Sequence, residues 1–543
     1  MFYSKMFAIF LVVGIVSSVT VGLATNLISV PEHDEFGYVA NALYYSGVNT
    51  NTNQLFFNGE QYHPYYSERP PLFWWLLTSL FSIGMNPIVS ITVSPIFAVL
   101  LALLIAQFAY ELTLDPKAGL LAGLLTGLSG FYSLIGAHIL TDAMGTFFAA
   151  LTIYAFFEYF FKERRGFAII LGASLALSLI ARDENLILIP LLFLLWVVFA
   201  SKSSIPKKVL YIFLFVALFG IPVLLLGTAS TLQGISNILT PIVLNGWPVI
   251  IVVSAIVAYV FYKMRGWKIG ELFGGFLAFF VIMLPFFYDN YLLGNVLFYV
   301  AGKGILSRPI SHLIMAQTVG VGAQLSETAR AETWIASMPV LLSVPIILAS
   351  ILGLYYMARA DRRLFSLLFL WGAVSLGYVI FGTELEDRFL LIAFAPIAIL
   401  AGIGLAFIWK ANPFAGALAS AFSFVLADFL PREPMSISQL TLVSGVSAWG
   451  QNWLYSFLPN ISLSPPRPSL SLFDLVDGIV ALMLAVAITL YILKTSVIEP
   501  AVSVQVIMEE QGDSREKSSE NLEEEQEQKQ HQEQEALYAG GEL

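Results

Sequence analysis

Long apolar runs recur along almost the whole chain, and they constrain its fold more than any other feature. A helix crossing a bilayer needs about 20 mainly apolar residues, because the hydrocarbon core is about 30 Å thick. Roughly fourteen runs read as spans: 6–28, 71–104, 118–137, 140–161, 167–181, 185–200, 208–228, 247–262, 269–287, 336–357, 364–381, 389–409, 413–428 and 474–493. The 71–104 run is too long for one span and includes a re-entrant or juxtamembrane piece before the true one. The first run exceeds a signal-peptide core and is expected to be a retained helix. The fold class is therefore an all-α polytopic membrane protein, a bundle of about 12–14 transmembrane helices.

Composition agrees. Of 543 residues, 58% are hydrophobic and 12% charged, whereas a soluble domain carries about 25% charged residues. There is no cysteine, which excludes disulfides and thiolate metal sites. The net charge of -10 belongs to the tail: residues 499–543 hold thirteen Asp/Glu against three Lys/Arg, and the rest of the chain is balanced. No basic stripe points to nucleic acid as a partner.

Lys/Arg bias sets the expected orientation. With the N-terminus inside, sixteen Lys/Arg fall in inside loops, clustered as in Lys162-x-Arg164-Arg165 and Arg359-x-x-Arg362-Arg363. Eight are scattered outside, among them Arg69, Arg182 and Arg388. The expectation is a multi-pass protein of the cell (plasma) membrane with both the N-terminus and the C-terminal tail cytoplasmic. The long external loops are 29–70, 288–335 and 429–473, and the third carries the chain's one glycosylation sequon, at Asn460. The Glu/Gln-rich tail has too few apolar residues to build a core and is expected to be disordered.

Ionisable residues beside apolar spans are costly to keep and are functional candidates for that reason. Several fall at the expected outer edge. His33, Asp34 and Glu35 follow the first span, and such paired carboxylates suit a general base, a cation site or simply a helix N-terminus. Glu68-Arg69-Pro70-Pro71-Leu72-Phe73-Trp74-Trp75 puts a cation at head-group depth, where it would grip a phosphate or merely snorkel. Thr141-Asp142 opens the fourth span, where Thr141 would cap the helix and Asp142 complement its dipole. Arg182-Asp183-Glu184 separates two spans, and Glu384, Glu386, Asp387 and Arg388 precede another. Four of the five His are outside but none has the spacing of a metal pair. Glycines are dispersed through the spans and read as close helix packing.

The order of these elements resembles the C-type integral membrane glycosyltransferases (GT-C), most closely the branch of protein O-mannosyltransferases and lipid A aminoarabinose transferases. The resemblance rests on Asp34-Glu35-x-x-Tyr38-x-x-x-Ala42, Arg69-Pro70-Pro71-Leu72-x-x-Trp75, Thr141-Asp142, Ala181-Arg182, Asn290-Tyr291-Leu292-Leu293-Gly294-Asn295 and Asp387-Arg388-Phe389. It covers about 30–400. Three departures stand out. Arg69 replaces the usual Lys, Phe389 the usual Tyr, and the acidic 182–184 triplet a Lys-Gly, which weighs against a donor contact at that turn. The oligosaccharyltransferase Trp-Trp-Asp-Tyr-Gly signature is absent.

The resemblance implies a GT-C-like module over 1–410 with an extracytoplasmic active-site cavity, further spans over 411–498 and the tail over 499–543. It implies a polyprenyl- or dolichyl-phosphate-linked sugar as donor, membrane lipid around it, and a protein, lipid or glycan hydroxyl as acceptor. Asp34 would be the catalytic base, with Glu35 beside it. Arg69, Arg182 and Arg388 would bind the donor phosphate, and Asp142, Tyr38 and Glu68 would orient substrate. The cofactor is left open: a divalent cation would find Glu35 and His33 as ligands. The rival reading is a lipid or sugar transporter or flippase, weakened by the lack of an internal repeat.

Overall fold

The computed structural model describes residues 33–48, 56–57, 60–61, 70–85, 89–129, 140–200, 269–292, 299–300, 303–304, 327–383 and 387–429. The expected spans at 6–28, 208–228, 247–262 and 474–493 lie outside these residues, as do the sequon Asn460 and the acidic tail.

Thirteen helices follow in order among the described residues: α1 His33–Tyr45, α2 Pro71–Ser82, α3 Ser90–Thr113, α4 Pro116–Leu128, α5 Asp142–Phe160, α6 Phe167–Ala181, α7 Leu188–Leu195, α8 Ile269–Leu292, α9 Glu327–Leu341, α10 Val344–Ala360, α11 Arg362–Gly382, α12 Leu391–Ala411 and α13 Pro413–Phe429. Short 3-10 turns at Asp183–Ile187 and Asp387–Leu390 lead into α7 and α12. Two antiparallel ribbons, Phe56–Phe57 with Glu60–Gln61 and Tyr299–Val300 with Lys303–Gly304, are the described strands.

Four described stretches are long and apolar enough to cross a membrane: Thr92–Thr113, Asp142–Phe160, Arg362–Phe381 and Arg388–Ala411. The polytopic, helical membrane architecture expected from the apolar runs is therefore present. Two boundaries differ from expectation. The 71–104 run divides, as expected, into a shorter first piece, α2, and a longer helix, α3, but α3 continues to Thr113 instead of ending at 104. The 336–357 run is broken in two, because Ser343 takes a positive φ of 62° and Pro345 occupies the first turn of α10. Proline has no N–H to give and so begins the new helix readily.

Sharp turns between helices share one device. Asp115 accepts from Lys117 N, Asp361 from Arg363 N and Leu364 N, and Asn412 from Phe414 N and Ala415 N. Each side chain satisfies orphan donors of the next helix, and Pro116 and Pro413 begin two of those helices.

The central element is α12, which packs against α3, α4, α5, α10, α11 and α13. Small residues make these approaches possible. A Cβ on Gly353 or Gly404 would collide with the backbone of the partner helix, at Leu400 and Ala349 respectively. Gly402 meets Ala122 of α4 almost as closely. Gly172 of α6 and Gly275 of α8 make a second such crossing. Apolar lipid offers no hydrophobic drive between helices, so close backbone approach through small residues supplies the contact.

Candidate functional site

The site lies where α5 begins and α6 ends. Antiparallel packing of the two helices sets residue 142 beside residue 182. Arg182 stands in extended backbone, φ -156°, at the point where α6 stops. Its side chain turns inward and is 5% exposed. Nη1 lies 2.5 Å from Asp142 Oδ1, and Nε donates to Glu184 Oε2 at 3.0 Å. A buried guanidinium held by two carboxylates is a fixed dipolar unit, and removing one partner of such a pair costs about 3–5 kcal/mol.

Phe389, from the turn before α12, covers this unit. Its ring centroid is 5.3 Å from the Arg182 guanidinium and 5.6 Å from that of Arg388. One buried ring thus contacts two cations, each at a distance where the aromatic quadrupole attracts. Arg388 is half-buried. The chain brings Asp142, Arg182, Glu184, Arg388 and Phe389 together from segments separated by more than 200 residues.

On the other side stands α1. Tyr38 is buried, its hydroxyl is 3.4 Å from Thr141 Oγ1, and its ring meets Phe73 edge-on at 5.3 Å. Tyr38, Phe73, Trp74, Leu140, Met144 and Ala181 form one apolar cluster. This cluster seats α1 and α2 on the first turn of α5 and the last residue of α6. The cap expected of Thr141 is not formed: its side chain makes no capping bond to α5 and meets Tyr38 instead. The backbone of His33, Asp34 and Glu35 opens α1, a turn or so before Tyr38. Their side chains, and Glu68 and Arg69 entirely, lie outside the described residues. Among the described residues no three His, Asp or Glu gather as a metal site.

Sequence reasoning overlooked Asn185 and Gly145. Asn185 is buried, and its Nδ2 donates to Gly145 O at 3.0 Å and to Ser178 O at 3.1 Å. A Cβ on Gly145 would come within 2.8 Å of Arg182 Cβ. The one signal available was an amide three residues after the arginine at the end of an apolar helix.

Residues 68–226 match the model of the family described as dolichyl-phosphate-mannose-protein mannosyltransferase. No curated protein matches the chain in sequence. Among solved structures, an oligosaccharyltransferase of Archaeoglobus fulgidus, crystallised with a tethered acceptor peptide, is similar at 13% identity and TM-score 0.43, over 82% of this chain and 55% of that one. ArnT from Cupriavidus metallidurans, bound to undecaprenyl phosphate, is similar at 13% identity and TM-score 0.45, over 90% of this chain and 77% of that one. The present chain thus spans about half the length of the oligosaccharyltransferase. The family match agrees with the resemblance read from the motifs: this helical membrane protein is similar, over residues 68–226, to the dolichyl-phosphate-mannose-protein mannosyltransferases.

Proposed function

We propose that the chain is a glycosyltransferase that moves a sugar from a polyprenyl- or dolichyl-phosphate carrier to an acceptor hydroxyl on the extracytoplasmic side. The observation that carries this reading is the enclosed Asp142–Arg182–Glu184 unit with Arg388 beside it. Three of these four residues fall inside the segment that matches the mannosyltransferase family. Its position at a helix end among apolar spans suits a substrate whose tail is in lipid and whose phosphate is at the edge.

In the proposed reaction the acceptor oxygen bonds to the anomeric carbon as the bond from that carbon to the phosphate oxygen breaks. Asp34 takes the hydroxyl proton, and the electron pair leaves on the lipid phosphate. Arg69 and Arg388 hold that phosphate. Arg182, fixed by two carboxylates, is a preorganised positive pole that need not reorient as charge develops. Asp142 orients Arg182, Glu35 and Glu68 shape the acceptor side, and the Tyr38 ring seats the helix that carries Asp34.

The test is a transfer assay on the full chain in lipid, with a panel of polyprenyl-phosphate sugars and membrane extract as acceptor. Wild type is expected to consume one donor. Asp34→Asn should lose about 10²–10⁴-fold, the range of a positioned base, with an unchanged melting midpoint. Near-normal transfer by this variant removes Asp34 as base. Donor binding by wild type with no consumption of any donor defeats the transferase reading.

A further inference from the structure

The turn that carries Arg182 joins α6 to α7. It leaves α6 in extended backbone and re-enters a 3-10 turn at Asp183. Extended backbone at the end of a helix leaves the last carbonyls without helical donors. Ser178 O still has its helical donor, Arg182 N at 3.1 Å, and takes a second bond from Asn185 Nδ2, also at 3.1 Å. Asn185 N closes the turn by donating to Arg182 O at 3.2 Å. The same side-chain amide crosses to α5 and donates to Gly145 O.

The register of α5 gives these contacts their meaning. Gly145 lies three residues after Asp142, one turn along the same helix face. The absent side chain at 145 leaves room for Arg182 Cβ and Cδ and for the Asn185 amide, which a methyl there would meet at 2.8, 3.3 and 3.2 Å. Arg182 therefore lies flat over α5 and reaches back one turn to Asp142. A carboxylate at 185 would supply neither donor and would compete for the guanidinium. An amide fixes the turn and adds no charge to a group whose two acids and two arginines already balance.

We propose that Asn185 is a positioning residue, acting with the notch at Gly145, that sets the Arg182 guanidinium between Asp142 and Glu184. Its part in turnover rests on the glycosyl-transfer reading; its part in the geometry does not. A displaced Arg182 stabilises the developing phosphate charge less while Arg69 and Arg388 still bind the donor. The expected signature is thus a loss in kcat with KM unmoved.

The experiment has two readouts on the full chain in lipid. The first is a thermal double-mutant cycle between Asp142→Asn and Arg182→Gln, run with Asn185 intact and again in Asn185→Ala. Coupling between the two should be present with Asn185 and largely lost without it. The second is donor kinetics. Asn185→Ala should lower kcat about 10²-fold, the scale of an ångström misplacement of a reacting constellation, at constant KM. Should Asn185→Ala not fold, Gly145→Ala is the second variant, with the same pattern expected from displacement of Arg182. Coupling that survives in Asn185→Ala, or lost coupling with normal kcat, overturns the proposal. A wild type without turnover defeats the transfer reading instead, and the cycle alone then decides whether Asn185 sets the pair.

Discussion

Helix α5 carries a buried acid at each end, and the two are solved differently. Asp142 at its start and Glu158 near its finish are sixteen residues apart, about 24 Å at 1.5 Å per residue. Glu158 is fully buried, yet its partners are local: Lys162, one turn on, at 3.4 Å, and Arg164 at 2.8 Å. Neither cation is enclosed: Lys162 is partly exposed and Arg164 is 52% exposed. Lys162 also pairs with Glu111 at the end of α3, and Arg165 with Glu271 at the start of α8. This is a clasp that ties helix ends together where chain and solvent meet. Asp142 instead pairs with an arginine forty residues away that is itself enclosed, and an aromatic ring from beyond residue 380 covers it. Local pairs cost little to assemble and do not require burial of both charges. A buried, nonlocal pair with a second arginine alongside is expensive to build for packing alone, and that contrast is the reason the proposed reaction is set at the Asp142 end.

The comparison makes unequal predictions for the two ends, and the largest is at Asp142. Asp142→Asn should cut transfer by about 10²–10³-fold, the loss typical of a preorganised electrostatic group. It should also lower stability by about 3–5 kcal/mol through loss of one of the two acids that hold the buried Arg182. Specific activity per folded molecule and a denaturation midpoint check the two parts. Glu158→Gln should shift the midpoint while leaving specific activity near wild type. If Glu158→Gln silences folded protein, the division between clasp and site is wrong.

Arg388→Gln comes next. If Arg388 grips the donor phosphate, its loss raises donor KM more than it lowers kcat, and added salt weakens donor binding by wild type more than by the variant. A drop in kcat alone would move Arg388 into the same supporting role as Arg182.

The membrane class, the places of most described apolar helices and the charges beside them were legible in the sequence, because apolar length and the cost of intramembrane charge are properties of short windows. Span 167–181 coincides with α6, and Asp142, Arg182 and Arg388 each stand out from their place beside apolar runs. What no window contains is a pairing. Nothing near Asp142 tells that Arg182 reaches it, since only the antiparallel crossing of α5 on α6 makes the contact. Gly145 looks like any packing glycine in a span, and its role appears only when Arg182 is laid over it. Thr141 shows the converse: by local rules it is a cap, and the approach of Tyr38 from α1 gives its hydroxyl a different neighbour. The break at Ser343 was hidden because Pro345 sits inside a run whose hydropathy is uninterrupted.

The smallest effect tests how tightly α1 is held at the Asp142 end. Tyr38→Phe keeps the ring that packs on Phe73 and removes only the hydroxyl facing Thr141. At 3.4 Å that contact is long, so its loss should cost at most about 1 kcal/mol, the net worth of an ordinary hydrogen bond. Transfer by Tyr38→Phe should accordingly stay near that of wild type. Tyr38→Ala also empties a buried site in the cluster with Trp74 and Met144, and truncating a buried aromatic costs about 3–5 kcal/mol. Since Asp34 opens the same helix, a loosened α1 should depress transfer in Tyr38→Ala beyond what its lower folded fraction explains. Equal activity losses in the two variants would show that the hydroxyl, not the seat of the helix, matters to the reaction, and would shift Tyr38 from packing to substrate contact.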